Sequence, residues 1–244
     1  SGNRRRRRGS GDMDYTKIPV STGTTIMAVK YATGVVLGAD SRTSTGTYVA
    51  NRASDKITQI CDNVWMCRSG SAADTQNVAA YVTRVANEHA VSVSSASSGA
   101  DEGLHVDVAL VANVTKRIAY ENKEKLQAGM IIAGWDRKLG PQVYGIPLGG
   151  SLVESPFTVG GSGSAYIYGY CDNTYREGMS KEECERWVAS AISLAIARDA
   201  SSGGVIRLVT IDANGCERKM LQPSEHTVCD DELPALKIQT RRFL

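Results

Sequence analysis

Apolar positions crowd the chain from Thr25 onward and are sparse before Gly23, where polar residues and arginines dominate. From Thr25 to Tyr31 the run is apolar on both faces apart from Lys30. Ala32-Thr33-Gly34 supplies a turn, and Val35 to Ala39 forms a second apolar run. Two such runs around a short glycine-containing loop predict a hairpin buried on both faces. A turn centred near Thr33 fixes the register, and that register folds residue 24 back to within a residue or two of Asp40 to Arg42. The hairpin alone therefore brings Asp40 beside Thr24.

Beyond it, Thr47 to Ala50, Lys56 to Ile60 and Val64 to Arg68 read as short strands, broken by Ser69-Gly70-Ser71. A helix follows, opened by Ser71 with Asp74 three residues on, with Val78, Val82, Val85 and His89 on one stripe. Ser92 to Gly103 is a Ser/Gly/Ala-rich loop, and a second helix carries Leu104, Val108, Val111, Thr115 and Ile118 on its buried face. Met130 to Trp135, Gln142 to Leu148 and Ser151 to Val159 are predicted strands. The loop from Gly160 to Ser164 leads into Ala165 to Tyr175. Ser180 and Glu183 form a capping box for a helix striped with Cys184, Trp187, Val188, Ala191 and Ala195 and ending at Asp199. Val205 to Ile211 and Cys216 to Leu221 make a last hairpin around Asn214-Gly215. The order is strands, two helices, strands, two helices, strands. It predicts helices on the outer faces of two stacked, largely antiparallel sheets in one α+β domain. Pro223 onward lacks a core of its own, so this tail is expected to lie on something else.

Composition adds little to that picture. Of 244 residues, 42% are hydrophobic and 22% charged, the mixture of an ordinary soluble chain. No run of eighteen apolar residues offers a membrane span, and no apolar segment follows the first arginines as a secretory signal would require. Charge is uneven. Residues 1–23 carry Arg4 to Arg8 and Lys17 against Asp12 and Asp14, whereas the remainder holds 22 basic and 24 acidic residues. A body so nearly neutral argues against a nucleic-acid surface. The arginine run reads as part of a solvated, disordered leader, with a nuclear address or a polyanion-binding arm as the sharper readings. The six cysteines form no C-x-x-C pair and have no zinc-type histidine spacing, so free thiols and no metal site are expected.

Candidate chemistry narrows by elimination. His89, His105 and His226 serve no nucleophile elbow or cysteine motif, which leaves a Ser–His or Cys–His triad without support. The loop after Gly160 lacks the lysine of a phosphate cradle. A threonine at a freed N-terminus needs no histidine. Its α-amine titrates near 7.7 to 8.0 and can accept a proton at neutral pH. Cleavage of Gly23–Thr24 would thus give Thr24 a hydroxyl nucleophile and a base on one residue. A nearby cation held by a carboxylate would keep that amine deprotonated, and Lys56 and Asp40 are candidates.

Six segments in order carry a resemblance. They are Gly23-Thr24-Thr25, Gly38-Ala39-Asp40-Ser41-Arg42, Ser54-Asp55-Lys56, Ser69 to Asp74, Gly161-Ser162-Gly163-Ser164 and Arg198 to Gly204. Over residues 24 to about 221 the chain resembles the catalytic proteasome beta subunits. The resemblance implies a four-layer αββα sandwich of the N-terminal-nucleophile hydrolase type. It implies Thr24 as nucleophile and Asp40 and Lys56 as its charged partners. Ser162, Asp199 and Ser202 would orient the threonine, and the Gly70 N–H would donate to the oxyanion.

Arg68 matches the floor of the pocket for the side chain before the scissile bond, with Thr43, Ser44 and Ala72 as further substrate-binding positions. An arginine there would pair with Asp or Glu. Together with Tyr166 to Tyr170 and Tyr175 to Met179, it makes the chain similar to the caspase-like, beta-type 1 group. The family implies no cofactor and no metal. It implies cytoplasmic and nuclear location, and stacked heptameric rings of alpha and beta subunits that admit unfolded polypeptides. Residues 1–23 would be a propeptide removed by attack of Thr24 on Gly23, and 222–244 a tail on a neighbouring subunit. The alternative reading is a non-catalytic structural subunit of the same particle.

Overall fold

A computed structural model of the chain describes residues 23–45, 48–94 and 106–225. Strands β1 (Ile26–Tyr31) and β2 (Gly34–Ala39) form the expected hairpin, with Ile26 opposite Ala39 and Tyr31 opposite Gly34. That register puts Thr25 across from Asp40, and the Asp40 N–H donates to the Thr25 carbonyl at 3.1 Å. A small ribbon, β3 (Thr43–Thr45) with β4 (Tyr48–Asn51), follows, then β5 (Ile57–Cys61) and β6 (Val64–Gly70).

Helix α1 (Ala72–Ser94) begins where expected, and Ser71 Oγ accepts the Asp74 N–H at 3.4 Å. The Asp74 carboxylate turns instead to the Gln127 N–H, at 3.1 Å. The buried stripe of α1 is Thr75, Val78, Ala79, Val82, Ala86 and Ala90. Val85 is only half-buried and His89 is exposed, because alanines take the face that the expected stripe gave to larger residues. Helix α2 (Val108–Glu121) buries Val108, Val111, Ala112, Thr115 and Ala119. Leu104, expected on its first turn, lies outside the described residues.

Strands β7 (Ala128–Asp136) and β8 (Gly140–Ile146) match expectation. The run from Ser151 to Val159 does not form one strand. It divides into β9 (Val153–Glu154), paired with β8, and β10 (Phe157–Gly160), paired with β1 in the other sheet. Pro156 stands at the division and lacks the N–H that a continuous ladder would need. Its carbonyl accepts the Lys30 N–H at 2.8 Å, so the proline joins the second sheet as an acceptor only.

Helix α3 (Ser164–Thr174) and helix α4 (Lys181–Arg198) follow, and α4 carries the full Ser180/Glu183 capping box. The last hairpin pairs β11 (Ile206–Asp212) with β12 (Gly215–Leu221). Its two-residue loop is Ala213-Asn214, one position before the expected turn, since the Asp212 carboxylate captures the Asn214 N–H at 2.7 Å. The expected tail from residue 226 onward lies outside the described residues.

Among the described residues every strand pairing is antiparallel. One sheet runs β10-β1-β2-β11-β12 and the other β5-β6-β7-β8-β9. Strand alternation assigns each buried residue a side. Met27, Val29 and Val36 pack with Ile167, Val188 and Ile192 of α3 and α4. Met66, Met130 and Ile132 pack with Val78, Val82 and Val111 of α1 and α2. The intervening positions, Ile26, Ala28, Val35, Leu37, Trp65, Cys67 and Ile131, meet one another between the sheets. This double-sided burial explains why the strands read as nearly continuous apolar runs. Among the described residues no helix is long and apolar enough to cross a membrane.

Candidate active site

In one sheet the registers bring together the start of β1, the ends of β2 and β10 and the start of β11; in the other they bring the start of β5 beside the end of β6, and the Lys56–Asp40 contact joins the two ends. The site is built on the residues that project from those ends. Thr24 precedes β1, Asp40 follows β2, and Lys56 precedes β5. Gly70 closes β6, Ser162 lies between β10 and α3, Asp199 caps α4, and Ser202 precedes β11.

Asp40 and Lys56 form a buried ion pair at 2.7 Å, with Asp40 fully enclosed and Lys56 6% exposed. The Asp40 carboxylate is otherwise saturated by backbone donors. Oδ1 also accepts the Thr25 N–H at 2.9 Å, and Oδ2 accepts Arg42 and Gly203 N–H groups at 3.1 and 2.9 Å. Such complete pairing is what allows a carboxylate to stay charged out of water. Burial pulls the Lys56 ammonium below its ordinary value, and the adjacent Asp40 charge opposes that pull.

Two donors converge on the Gly23 carbonyl oxygen. Thr24 Oγ1 donates to it at 2.7 Å and Lys56 Nζ at 3.1 Å. The peptide bond between Gly23 and Thr24 is thereby polarised by a cation while the neighbouring hydroxyl stands beside it. A side chain at residue 23 has no room, because a Cβ there would fall 1.8 Å from Ser201 Cβ.

On the other flank the Thr24 N–H donates to Ser162 Oγ at 3.1 Å. Ser162 Oγ donates to Asp199 Oδ2 at 2.7 Å, and Ser202 Oγ donates to the same oxygen at 2.6 Å. Since the Ser202 hydrogen is committed to that carboxylate, the 2.8 Å contact between Thr25 and Ser202 hydroxyls has Thr25 as donor. A continuous hydrogen-bond chain thus runs from Thr25 through Ser202, Asp199 and Ser162 to the Thr24 nitrogen. Thr25 was given no role from the sequence, although it belongs to the Gly23-Thr24-Thr25 segment.

A cleft of about 50 Å³ opens beside Thr24 and is lined by Thr43, Lys56, Arg68, Gly70, Ala72 and Thr75 among others. Gly70 has φ +104, a left-handed conformation that favours glycine, and a Cβ there would lie 2.2 Å from the Gln127 carbonyl. Arg68 is held by three neutral oxygens: Thr58 Oγ1 at 2.8 Å, Thr75 Oγ1 at 3.4 Å and the Asp55 carbonyl at 2.8 Å. It forms no ion pair among the described residues, and burial pulls its guanidinium below the ordinary value. Asp55 is the acidic neighbour in the same cleft, and its carboxylate is engaged by Arg218 at 2.6 Å, so the half-buried Arg68 cation can take an anionic occupant.

The expected binding position Ser44 is buried in β3 and is not among the residues lining this cleft. Thr75, which lines the cleft, and Thr58, which holds Arg68 from outside its lining, were not expected. Thr58 follows Lys56 by two residues, so strand alternation placed it on the same face. The five described cysteines are free, four buried and Cys216 exposed, while Cys229 lies outside the described residues. Among the described residues no three His, Cys, Asp or Glu side chains cluster to hold a metal.

Comparison with known proteins gives the family. The profile of the family described as "Proteasome subunit" matches residues 20–211. Proteasome subunit beta type-6 of Arabidopsis thaliana is 51% identical over 215 residues, covering 88% of this chain and 88% of the relative. Its namesake in Dictyostelium discoideum is 52% identical over 202 residues, 83% and 90% of the two chains. Proteasome subunit beta type-1 of Saccharomyces cerevisiae is 48% identical over 207 residues, 85% and 92% of the two chains. A family match across most of the length, and relatives near half identity over nearly their whole chains, leave one assignment: the protein belongs to the proteasome beta-subunit family.

Proposed function

We propose that this subunit is a threonine endopeptidase of the proteasome core particle, cleaving unfolded polypeptides after acidic residues and freeing its own nucleophile by cutting Gly23–Thr24. The observation that carries the proposal is the Gly23 carbonyl oxygen, bonded at once by Thr24 Oγ1 and Lys56 Nζ. Attack of Thr24 Oγ1 on the Gly23 carbon would put negative charge on that oxygen, where the Lys56 ammonium already stands. Collapse breaks the C–N bond and leaves the hydroxyl proton on the departing Thr24 nitrogen. The product is an ester, which water hydrolyses to the leader carboxylic acid and a free Thr24. Proximity favours the step, since nucleophile and carbonyl are adjacent in one chain.

The freed amine, still beside Ser162, then serves as the base for Thr24 Oγ1 in attack on a substrate carbonyl. The Gly70 N–H is the donor for that oxyanion, and Arg68 receives the acidic side chain before the scissile bond. Residues 1–23 are then a propeptide and 24–221 an N-terminal-nucleophile hydrolase domain. The packing of two helices on the outer face of each sheet supports the reading of that domain as a four-layer αββα sandwich. Membership of the family implies assembly with other proteasome subunits. Stacked heptameric rings, a tail at 222–244 lying on a neighbouring subunit, and residence in cytoplasm and nucleus belong to the same proposal.

Intact-mass measurement of the subunit in assembled particles tests it, together with labelling by an inhibitor directed at N-terminal threonine. The expected result is a chain starting at Thr24 and labelled there. A chain that keeps its leader in the assembled particle would sink the enzyme reading in favour of a non-catalytic ring subunit. Fluorogenic peptides ending in Asp, Arg or Tyr test the specificity. Preference for Asp is expected to be lost in Arg68→Gly.

A further inference from the structure

A second cavity, of about 630 Å³, adjoins the Arg68 cleft. Ser69 and Gly70 line both cavities, and the larger one is also lined by Gly161 and Ser162. It runs inward between the sheets to Ile26 and Ile131, and opens at Leu148, Val153 and Tyr168. Those mouth residues are 67%, 53% and 50% exposed, an unusual placement for large apolar side chains. Asp, Glu, Lys, Arg and His are all absent from its lining. Its serine hydroxyls are spent internally, Ser69 on the Gly129 carbonyl at 2.9 Å and Ser164 on the Gly161 carbonyl at 2.7 Å.

We propose that this cavity receives the residue that follows the scissile bond, and that it selects an apolar side chain there. The inference rests on the peptidase reading above and adds the second half of the specificity. The acyl side of the substrate is fixed by Arg68, in the cleft that Thr24 itself lines. The leaving nitrogen must receive a proton from the Thr24 amine, because that amine has just taken the hydroxyl proton. The Thr24 nitrogen is bonded to Ser162, so the leaving group departs on the Ser162 side. Ser162 is a wall of the large cavity and not of the Arg68 cleft. The volume lies within the usual range for a ligand pocket and exceeds the needs of one side chain. An apolar residue would bury surface against the exposed Leu148 and Val153, whereas a lysine or glutamate would enter with no partner. The enzyme would therefore read a dipeptide, acidic before the bond and apolar after it.

Internally quenched peptides with Asp before the cleaved bond and either Leu or Lys after it test this on the assembled particle, with cleavage positions read by mass spectrometry. The Leu peptide is expected to exceed the Lys peptide in kcat/KM by about ten-fold or more, as hydrophobic pockets discriminate. Val153→Asp and, independently, Leu148→Asp are each expected to shrink that ratio several-fold. Both residues are exposed, so neither change opens a hole in the core. Equal cleavage of the two peptides by the unmodified particle overturns the proposal, as does a ratio untouched by both variants. A coumarin amide ending in Asp has no residue after the bond. If even that substrate is not cleaved in a Thr24-dependent way, the peptidase reading has failed, and this proposal falls with it.

Discussion

Lys56 stands between two oxygens with different roles, the Asp40 carboxylate at 2.7 Å and the Gly23 carbonyl at 3.1 Å. Replacing it by alanine leaves the fully buried Asp40 with amide donors but no counter-charge, a loss of about 3–5 kcal/mol for a broken buried pair. Lys56→Ala should thus unfold at lower denaturant and also retain the leader, as intact mass would reveal. Protonation gives a second handle. Burial lowers the folded-state pKa of Lys56 below its ordinary 10.5. Between the folded and unfolded values the unfolded chain holds the extra proton, so this group makes stability rise with pH through that window and costs stability below it. Self-cleavage runs the opposite way, because only the ammonium can steady the oxyanion. Its rate is expected to fall as pH rises through the Lys56 value, with a midpoint below 10.5, and a limb at or above that value would exclude Lys56. Gly23 gives a steric test of the same bond. In Gly23→Ala the new Cβ meets Ser201, and the displaced carbonyl should slow leader removal by about a hundred-fold, the typical cost of an ångström of misplacement.

At the scale of elements, the hairpin that positions Thr24 and Asp40 was legible in the sequence, because two apolar runs and one short turn admit a single register. Helix α4 was equally legible. Ser180 and Glu183 form both halves of the capping box, and all five stripe residues are buried. Ser180→Ala should cost about 0.5–2 kcal/mol, seen as a lower melting temperature, since the Glu183 N–H loses its acceptor. Leader removal should persist, because the box sits at the opposite end of the helix from Asp199. Other elements were misjudged for local reasons. Hydrophobic pattern alone carries Ser151 to Val159 as one strand, and only the missing N–H of Pro156 marks where the chain changes sheets. Periodicity gave α1 to Val85 and His89, although a helix closely packed on a sheet can turn alanines inward. At the last turn Asn214-Gly215 was the stronger dipeptide signal, yet the Asp212 side chain moved the loop back by one residue.

The whole molecule joins the two sheets at the one place where chemistry is proposed. Thr24 and Asp40 belong to the sheet that carries α3 and α4, whereas Lys56, Arg68 and Gly70 belong to the other. Their spacing therefore depends on the apolar contacts between the sheets and not on either sheet alone. Sequence pattern could supply each half, but it could not show how closely the sheets approach, nor the cavity left between them beside Ser162. Two truncations separate coupling from mere stability. Leu37 and Ile132 are both fully buried, Leu37 between the sheets and Ile132 against α1 and α2. Changing either to alanine should cost about 2–5 kcal/mol, the range for deleting a large core side chain. In Leu37→Ala the sheets can settle toward one another, shifting Lys56 relative to the Gly23 carbonyl. In Ile132→Ala the hole lies behind β7, on the side away from the nucleophile. Leader removal, followed by mass at a temperature where both variants stay folded, is expected to slow about ten-fold or more in Leu37→Ala, since sub-ångström errors at a reacting centre are costly. In Ile132→Ala it should stay within a few-fold of the unmodified rate. Equal slowing in the two would mean that processing follows global stability, and that the inter-sheet contact has no separate part in aligning Lys56 with its target.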